Sequence, residues 1–493
     1  MSTANHLKKS NQLLFKNWLF NQSFYDTSLL KNEALLIKIA KQKALKLFHS
    51  AALRVPAYKD FLKKKSIKPS LIKTFADFEK IPVTSKENYI ETYSMKERCW
   101  DGQLEGMHMI STSSGTTGKP LLWPRDLISE IEGAFAHELI LKNIFSVDKK
   151  KTLFLNGFAM GNWIAGTFTT ACVNLVSWKG YKLTLMTPGY VLKAIVDILQ
   201  EEFINDFDQI ILTGHTPFLK EIVEEIVKQK INLTKIDFRL LGTGQAISEN
   251  WRDYLINLLK GDETSVINLY GSADAALMGF ETPLSIKIRK FIFANQNINK
   301  KLFQKNRFPS IYNFDPRLTF FEAIDGELCI TKNSGCPLIK YNIHDEGGVL
   351  KNQELSSLLS EDVEFQLPFV YLFGREKFMV KFFGANLYSE HIQFALNHQK
   401  LQPFITGRYL AEVGTDESHN DKLIFKIELA SGVNQEENLV KLIQETFMNE
   451  VKKINSEYDY VLNQMGVKAI PEINLFEHGH PDYFPLDKIK KNG

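Results

Sequence analysis

Between residues 209 and 271 three short apolar runs recur, each ending in glycine. Gln209 to Thr213 (QIILT) runs into Gly214, Asp237 to Leu241 (DFRLL) into Gly242, Thr243 and Gly244, and Ser265 to Leu269 (SVINL) into Tyr270 and Gly271. Helix-length stretches separate them: Pro217 to Lys228, and a segment to Leu259 for which Ser248 supplies an N-cap. Strands alternating with helices predict a largely parallel sheet. Ligands of such sheets bind beyond the carboxyl ends of the strands. The glycine loops at 214, 242–244 and 271 are therefore where a site is expected.

The flanks differ from this centre. Leu30, Ala34, Leu35, Ile37, Ile39, Ala40, Ala44, Leu45 and Leu47 recur at helical spacing among lysines, and Pro56, Pro69 and Pro82 then divide the chain into short pieces. Beyond Gly374 the reading is strand at 378–383, helix at 389–397, strands at 404–413 and 422–429, and a helix at 436–453 with Leu439, Leu442, Ile443 and Phe447 on one face. The expectation is an α/β protein: a large N-terminal body with mostly parallel sheets (1–373, of which 1–100 is a helical entry region) and a small C-terminal α+β lid (374–493).

Several classes are set aside. Thr152 to Trp178 carries no charge and is long enough to span a bilayer, but Asn156, Gly157, Gly161, Asn162, Gly166 and Asn174 interrupt it. It reads as a buried strand, a glycine-rich loop and a buried helix, so no membrane span is expected. Residues 1–20 lack a secretory apolar core, and Cys99, Cys172, Cys329 and Cys336 form no CxxC pair, which fits a reducing, cytoplasmic location. Lys plus Arg number 60 against 57 Asp plus Glu, so overall charge gives no drive toward nucleic acid. His478 and His480 have no cysteine nearby to make a zinc site with them.

Residues 111–120 read STSSGTTGKP, flanked by apolar Met109, Ile110, Leu121, Leu122 and Trp123. A loop of small and hydroxylated residues exposes backbone N–H groups to phosphate oxygens, and Lys119 adds charge. It is not a Walker loop: the positions that need glycine and Ser/Thr hold Ser113 and Pro120.

This loop resembles the phosphate-binding signature of the adenylate-forming superfamily, which includes acyl- and aryl-CoA ligases, peptide-synthetase adenylation domains and luciferases. Further motifs follow in that superfamily's order: Gly244-Gln245-Ala246; Asn268-Leu269-Tyr270-Gly271-Ser272-Ala273-Asp274; Gly326-Glu327-Leu328 with Pro337 to Tyr341 and Asp345; and Gly374-Arg375 through Gly384. With Val55 to Tyr58 (VPAY) upstream, the pattern is most similar to the phenylacetate-CoA ligase branch.

The resemblance implies roles. Ser114, Gly115, Thr116, Thr117, Gly118 and Lys119 would hold the β- and γ-phosphates of ATP, Gly244, Gln245 and Ala246 would lie against the adenine, and Asn268 would belong to the nucleotide-binding set. Tyr270 would stack on it, with Gly271, Ser272 and Ala273 lining the nucleotide site. Asp345, assisted by Arg375, would take the ribose hydroxyls, and Asp274 would help place Mg²⁺. Lys377 would be the hinge, Trp163 would border the acyl pocket and Gly384 the thiol channel, and Phe158 and Phe218 would suit an aromatic or apolar acid. Lys488 would be the catalytic lysine, with Lys490 and Lys491 as rivals. Three positions depart from the pattern: Asp274 for Glu, Ala273 for Thr or Ser, and Asp487 for Gly.

The implied activity is ATP-dependent activation of a carboxylic acid through an acyl-adenylate, followed by transfer to coenzyme A. A second outcome passes the acyl group to an amine or a carrier-protein thiol. A third is a nucleotide-binding protein that kept the fold without the chemistry. A homodimer would suit the branch.

Overall fold

The computed structural model describes residues 3–21, 25–112, 121–305, 307–359, 366–374, 379–383, 385–415 and 421–485. Strands β1 (Met107–Thr112) and β2 (Leu122–Asp126) pair antiparallel on either side of 113–120. The central parallel run comprises β3 (Thr152–Asn156), β4 (Leu183–Met186), β5 (Gln209–His215), β6 (Asp237–Thr243) and β7 (Val266–Ser272), in spatial order 4-3-5-6-7. The three glycine-ended strands read from the sequence are thus neighbours.

The period-2 geometry of a strand explains why these segments are apolar throughout. Phe154, Ile211, Leu241 and Ile267 point to one face, under helices Leu127–Asn143 and Ile164–Ser177. Leu153, Leu155, Ile210, Leu212 and Leu240 point to the other, under helices Leu192–Gln200, Thr216–Lys228 and Glu249–Leu259. Each such side chain is worth roughly 1.5–3 kcal/mol when removed from water. The uncharged 152–178 stretch is therefore a central strand and a covering helix, and no described helix is long and apolar enough to cross a membrane.

The same sheet continues antiparallel through β8 (Ala276–Phe280), β9 (Ser310–Asn313), β10 (Phe320–Ile324), β11 (Glu327–Lys332), β12 (Leu338–Leu350) and β13 (Phe369–Gly374), in order 7-8-9-13-12-11-10. The result is an eleven-stranded mixed sheet, parallel where the sequence alternates β and α and antiparallel beyond. Helices Glu33–Arg54 and Pro56–Lys64 cover this second half, packing Phe48, Tyr58 and Phe61 with Phe314, Phe321, Ile330 and Tyr341.

The C-terminal residues close a core of their own. Hairpin β14 (Val380–Phe382) and β15 (Ala385–Leu387) accompanies a three-stranded sheet of β16 (Ile405–Thr415), β17 (Asp421–Leu429) and β18 (Glu472–Phe476). Leu439, Ile443, Phe447 and Val451 of helix Glu437–Ile454 lie four apart and pack on Leu423, Phe425 and Ile427. Helix Thr216–Lys228 holds this unit through Lys220. That lysine is 1% exposed and donates to the carbonyls of Gln402 (2.8 Å) and Ile405 (2.7 Å).

Candidate active site

The carboxyl ends of β5, β6 and β7 are crowded, and glycine is what permits it. Gly244 follows β6 at φ +101°, and a Cβ there would sit 2.4 Å from Cδ2 of His215, the last residue of β5. Next to it, Asn268 of β7 is 1% exposed. Its Nδ2 donates to the Gln245 carbonyl (3.2 Å) and the Tyr312 hydroxyl (3.0 Å), while Oδ1 is buried with no partner among the described residues. A buried acceptor left unpaired costs about 1–3 kcal/mol unless something else donates to it. The resemblance groups Asn268 with the nucleotide-binding residues, and the structure leaves an unmatched acceptor there.

Tyr270, two residues on, packs its ring against Tyr312 (centroids 5.6 Å, interplanar 22°) and Phe321 (6.2 Å, 18°). Its hydroxyl donates to Asp345 Oδ2 at 2.6 Å. Two residues assigned to neighbouring parts of a nucleotide, 75 apart in sequence, are thus bonded directly. Asp345 is delivered by a distorted stretch of β12 in which His344, immediately before it, has φ +58°. Non-glycine residues adopt this conformation at a cost of about 1–2 kcal/mol. Asn342 Oδ1 accepts from the His344 amide at 2.7 Å and helps to hold it.

The β1–β2 hairpin is tied to the same place. Arg125 on β2 is 1% exposed and donates through Nη2 to the carbonyls of Ala273 (2.5 Å) and Asp274 (2.9 Å). Burial pushes its guanidinium down to about 10, with the Asp274 carboxylate opposing. The cation therefore stays charged at neutral pH, fixing the turn that presents Asp274. On β1, the Thr112 amide donates to the Asn162 carbonyl (3.0 Å), which sets half-buried Trp163 beside the strand leading into 113–120.

Ser114, Gly115, Thr116, Thr117, Gly118, Lys119, Arg375, Lys377, Gly384 and Lys488, with the rivals Lys490 and Lys491, lie outside the described residues. Phe158 and Phe218 are both buried, and Phe218 stacks on Tyr190 at 4.0 Å. His478 pairs with Glu221 at 3.1 Å, whose hydrogen bond raises the imidazole above its ordinary value. No group of three or more metal-ligating side chains occurs among the described residues.

Three features escaped the sequence reading. Arg125 had a signal, as a cation within the apolar run that follows Lys119. His215 directly follows a glycine taken as the strand end. Cys99 and Cys336, 237 residues apart, bring their sulfurs to 3.3 Å, a pairing no local spacing announces.

No protein-family model and no curated protein matches the sequence. Solved structures do. The chain superposes on 2-hydroxyisobutyryl-CoA ligase in its postadenylation state with 2-HIB-AMP at TM-score 0.65 and 15% identity, over 92% of this chain and 89% of that one. With the 2-hydroxyisobutyryl-CoA ligase complex of 2-HIB-AMP and CoA in the thioesterification state the TM-score is 0.54, at 15% identity over 92% and 87%. An α/β body with a large mixed sheet followed by a small C-terminal sheet is what the two share, and this chain has the adenylate-forming fold.

Proposed function

We propose that this protein activates a carboxylic acid with ATP and transfers the resulting acyl group to a thiol, with coenzyme A as the acceptor. The observation that carries the reading is the gathering of Gly244, Gln245, Ala246, Asn268, Tyr270 and Asp345 where β6, β7 and β12 meet. On that reading the free Oδ1 of Asn268 accepts from the adenine amino group. Asp345, oriented by the Tyr270 hydroxyl and assisted by Arg375, accepts from the ribose hydroxyls.

In the first step a substrate carboxylate oxygen attacks the α-phosphorus, the bond to the bridging oxygen breaks and pyrophosphate leaves. Ser114 to Lys119 hold the departing phosphates and Lys488 neutralises charge at the α-phosphate, so the protein's part is positioning and electrostatics. Half-buried Asp274, held by Arg125 through its backbone, fits a Mg²⁺ ion that takes one carboxylate alongside phosphates and water. The ion would supply charge neutralisation. In the second step a thiol sulfur attacks the acyl carbon and AMP leaves, with the C-terminal unit turning about Lys377 and Gly384 lining the thiol's approach. Trp163 borders the acyl group.

The test is pyrophosphate release with MgATP over aryl, fatty and amino acids, each with and without coenzyme A. Release with one acid class that rises with coenzyme A is the expected result. Release indifferent to coenzyme A would move the second step to an amine or carrier thiol. No release with any acid would overturn the reading.

A further inference from the structure

Arg307 lies between helix Gln296–Phe303 and β9, and it is 4% exposed. Its guanidinium reaches three separate pieces of chain. Nη1 pairs with Glu346 at 2.5 Å, Nη2 donates to the Phe373 carbonyl, and Nε donates to Glu390. Its fourth contact is the Tyr388 ring, 3.8 Å from the guanidinium carbon. Glu346 adjoins Asp345 on β12, and Phe373 stands near the end of β13, two residues before Arg375. Glu390 opens helix Ser389–Leu396, which packs in the C-terminal core.

The charges are balanced in an asymmetric way. Glu346 also pairs with Lys305, so that carboxylate has two cations within the body. Glu390 has Arg307 as its ion-pair partner; burial pushes its carboxyl up and the guanidinium opposes this. If helix Ser389–Leu396 withdraws, Arg307 keeps Glu346 and the Phe373 carbonyl, and only the Nε bond and the Tyr388 stack are given up. Arg307 therefore belongs to the body, and Glu390 is the separable half.

We propose that Arg307 is a positioning residue that registers the C-terminal unit against the Asp345 strand, with Glu390 as the releasable side of the clamp. The kinetic side of this proposal rests on the adenylation reading above; the structural side does not.

The test uses the full-length protein with Glu390→Gln, which removes the charge and keeps the shape, and Arg307→Lys, which keeps the charge and loses the planar fork. Hydrogen exchange of helix Ser389–Leu396 should quicken about tenfold in E390Q, the factor a charge-assisted hydrogen bond commands. Helix Glu437–Ile454 should be unchanged, which establishes that the unit is folded. Pyrophosphate release should fall about tenfold in kcat for E390Q with KM for ATP within twofold, whereas R307K should also raise that KM. A merely structural role would lower thermal stability in both variants without this split, and would overturn the proposal. So would exchange in E390Q within twofold of the wild type. If the wild type releases no pyrophosphate with any acid, the adenylation reading falls and the exchange measurement still decides the clamp.

Discussion

Gly244→Ala should damage the site through two separable effects, and a double-mutant cycle divides them. At φ +101° any Cβ is strained, at a cost of about 1–2 kcal/mol. The added methyl also falls 2.4 Å from His215 Cδ2, so the ring must shift by about an ångström, an overpacking cost of about 1–3 kcal/mol. Together they predict a destabilisation near 3 kcal/mol. In a His215→Ala background the overlap vanishes and only the backbone part remains, so the two substitutions should couple by about 1–3 kcal/mol. The assay is urea unfolding of the wild type, G244A, H215A and the double variant. Function should follow, because Gln245 gives its carbonyl to Asn268, and a displaced turn takes that bond with it. KM for ATP should then rise about tenfold in G244A and recover partly in the double variant. Equal stability losses for G244A in both backgrounds would refute the close-approach argument and leave backbone strain alone.

Arg125→Met should leave the Ala273 and Asp274 carbonyls without their donor; a Mg²⁺ titration of pyrophosphate release should need several-fold more metal, and coincident curves would count against Arg125 as the support of Asp274. Burial holds His137 down at about 4, with a hydrogen bond to the Gly133 carbonyl opposing. The unfolded chain takes up its proton near pH 6.5 and the folded protein does not, so this stability is complete above pH 6.5 and lost as pH falls toward 4. Roughly 2 kcal/mol should be gone by pH 5, and His137→Leu should flatten the difference between urea midpoints at pH 7.5 and 5. Lys488→Ala should abolish pyrophosphate release, while Lys490→Ala and Lys491→Ala should leave it within a few-fold; the reverse pattern would reassign the lysine.

What the sequence reveals here is what local pattern can encode. The strands at 209, 237 and 265 are legible because burial on both faces demands unbroken apolar runs, and the helix at 249–259 because Ser248 caps it, accepting from the Trp251 amide at 3.2 Å. The antiparallel half is harder. Its order 8-9-13-12-11-10 is not the chain order, and β9 finds its partner β13 across about sixty residues. Individual motifs around Tyr270 and Asp345 can be read, but the bond between them cannot, since it depends on β12 reaching β7's end through a left-handed His344. Likewise the departures Ala273 and Asp274 look like weakenings in sequence, whereas in the fold both supply carbonyls to a buried arginine, a role blind to side-chain identity.

Three cations make the deeper point. In sequence Arg125, Lys220 and Arg307 resemble the many basic residues that face water. In the structure each is nearly inaccessible, and each spends donors on the backbone of a distant segment: Ala273 and Asp274, Gln402 and Ile405, and Phe373 respectively. Apolar packing alone tolerates small slides between layers, because dispersion contacts are individually weak and non-directional. A charged donor aimed at a carbonyl does not: a shift of an ångström forfeits the bond and strands the charge. Stability could have been obtained with leucine at these positions. Register between the hairpin, the ends of β6 and β7 and the C-terminal unit could not, and the proposed reaction, with its in-line placement of a carboxylate and a phosphorus, would require that register.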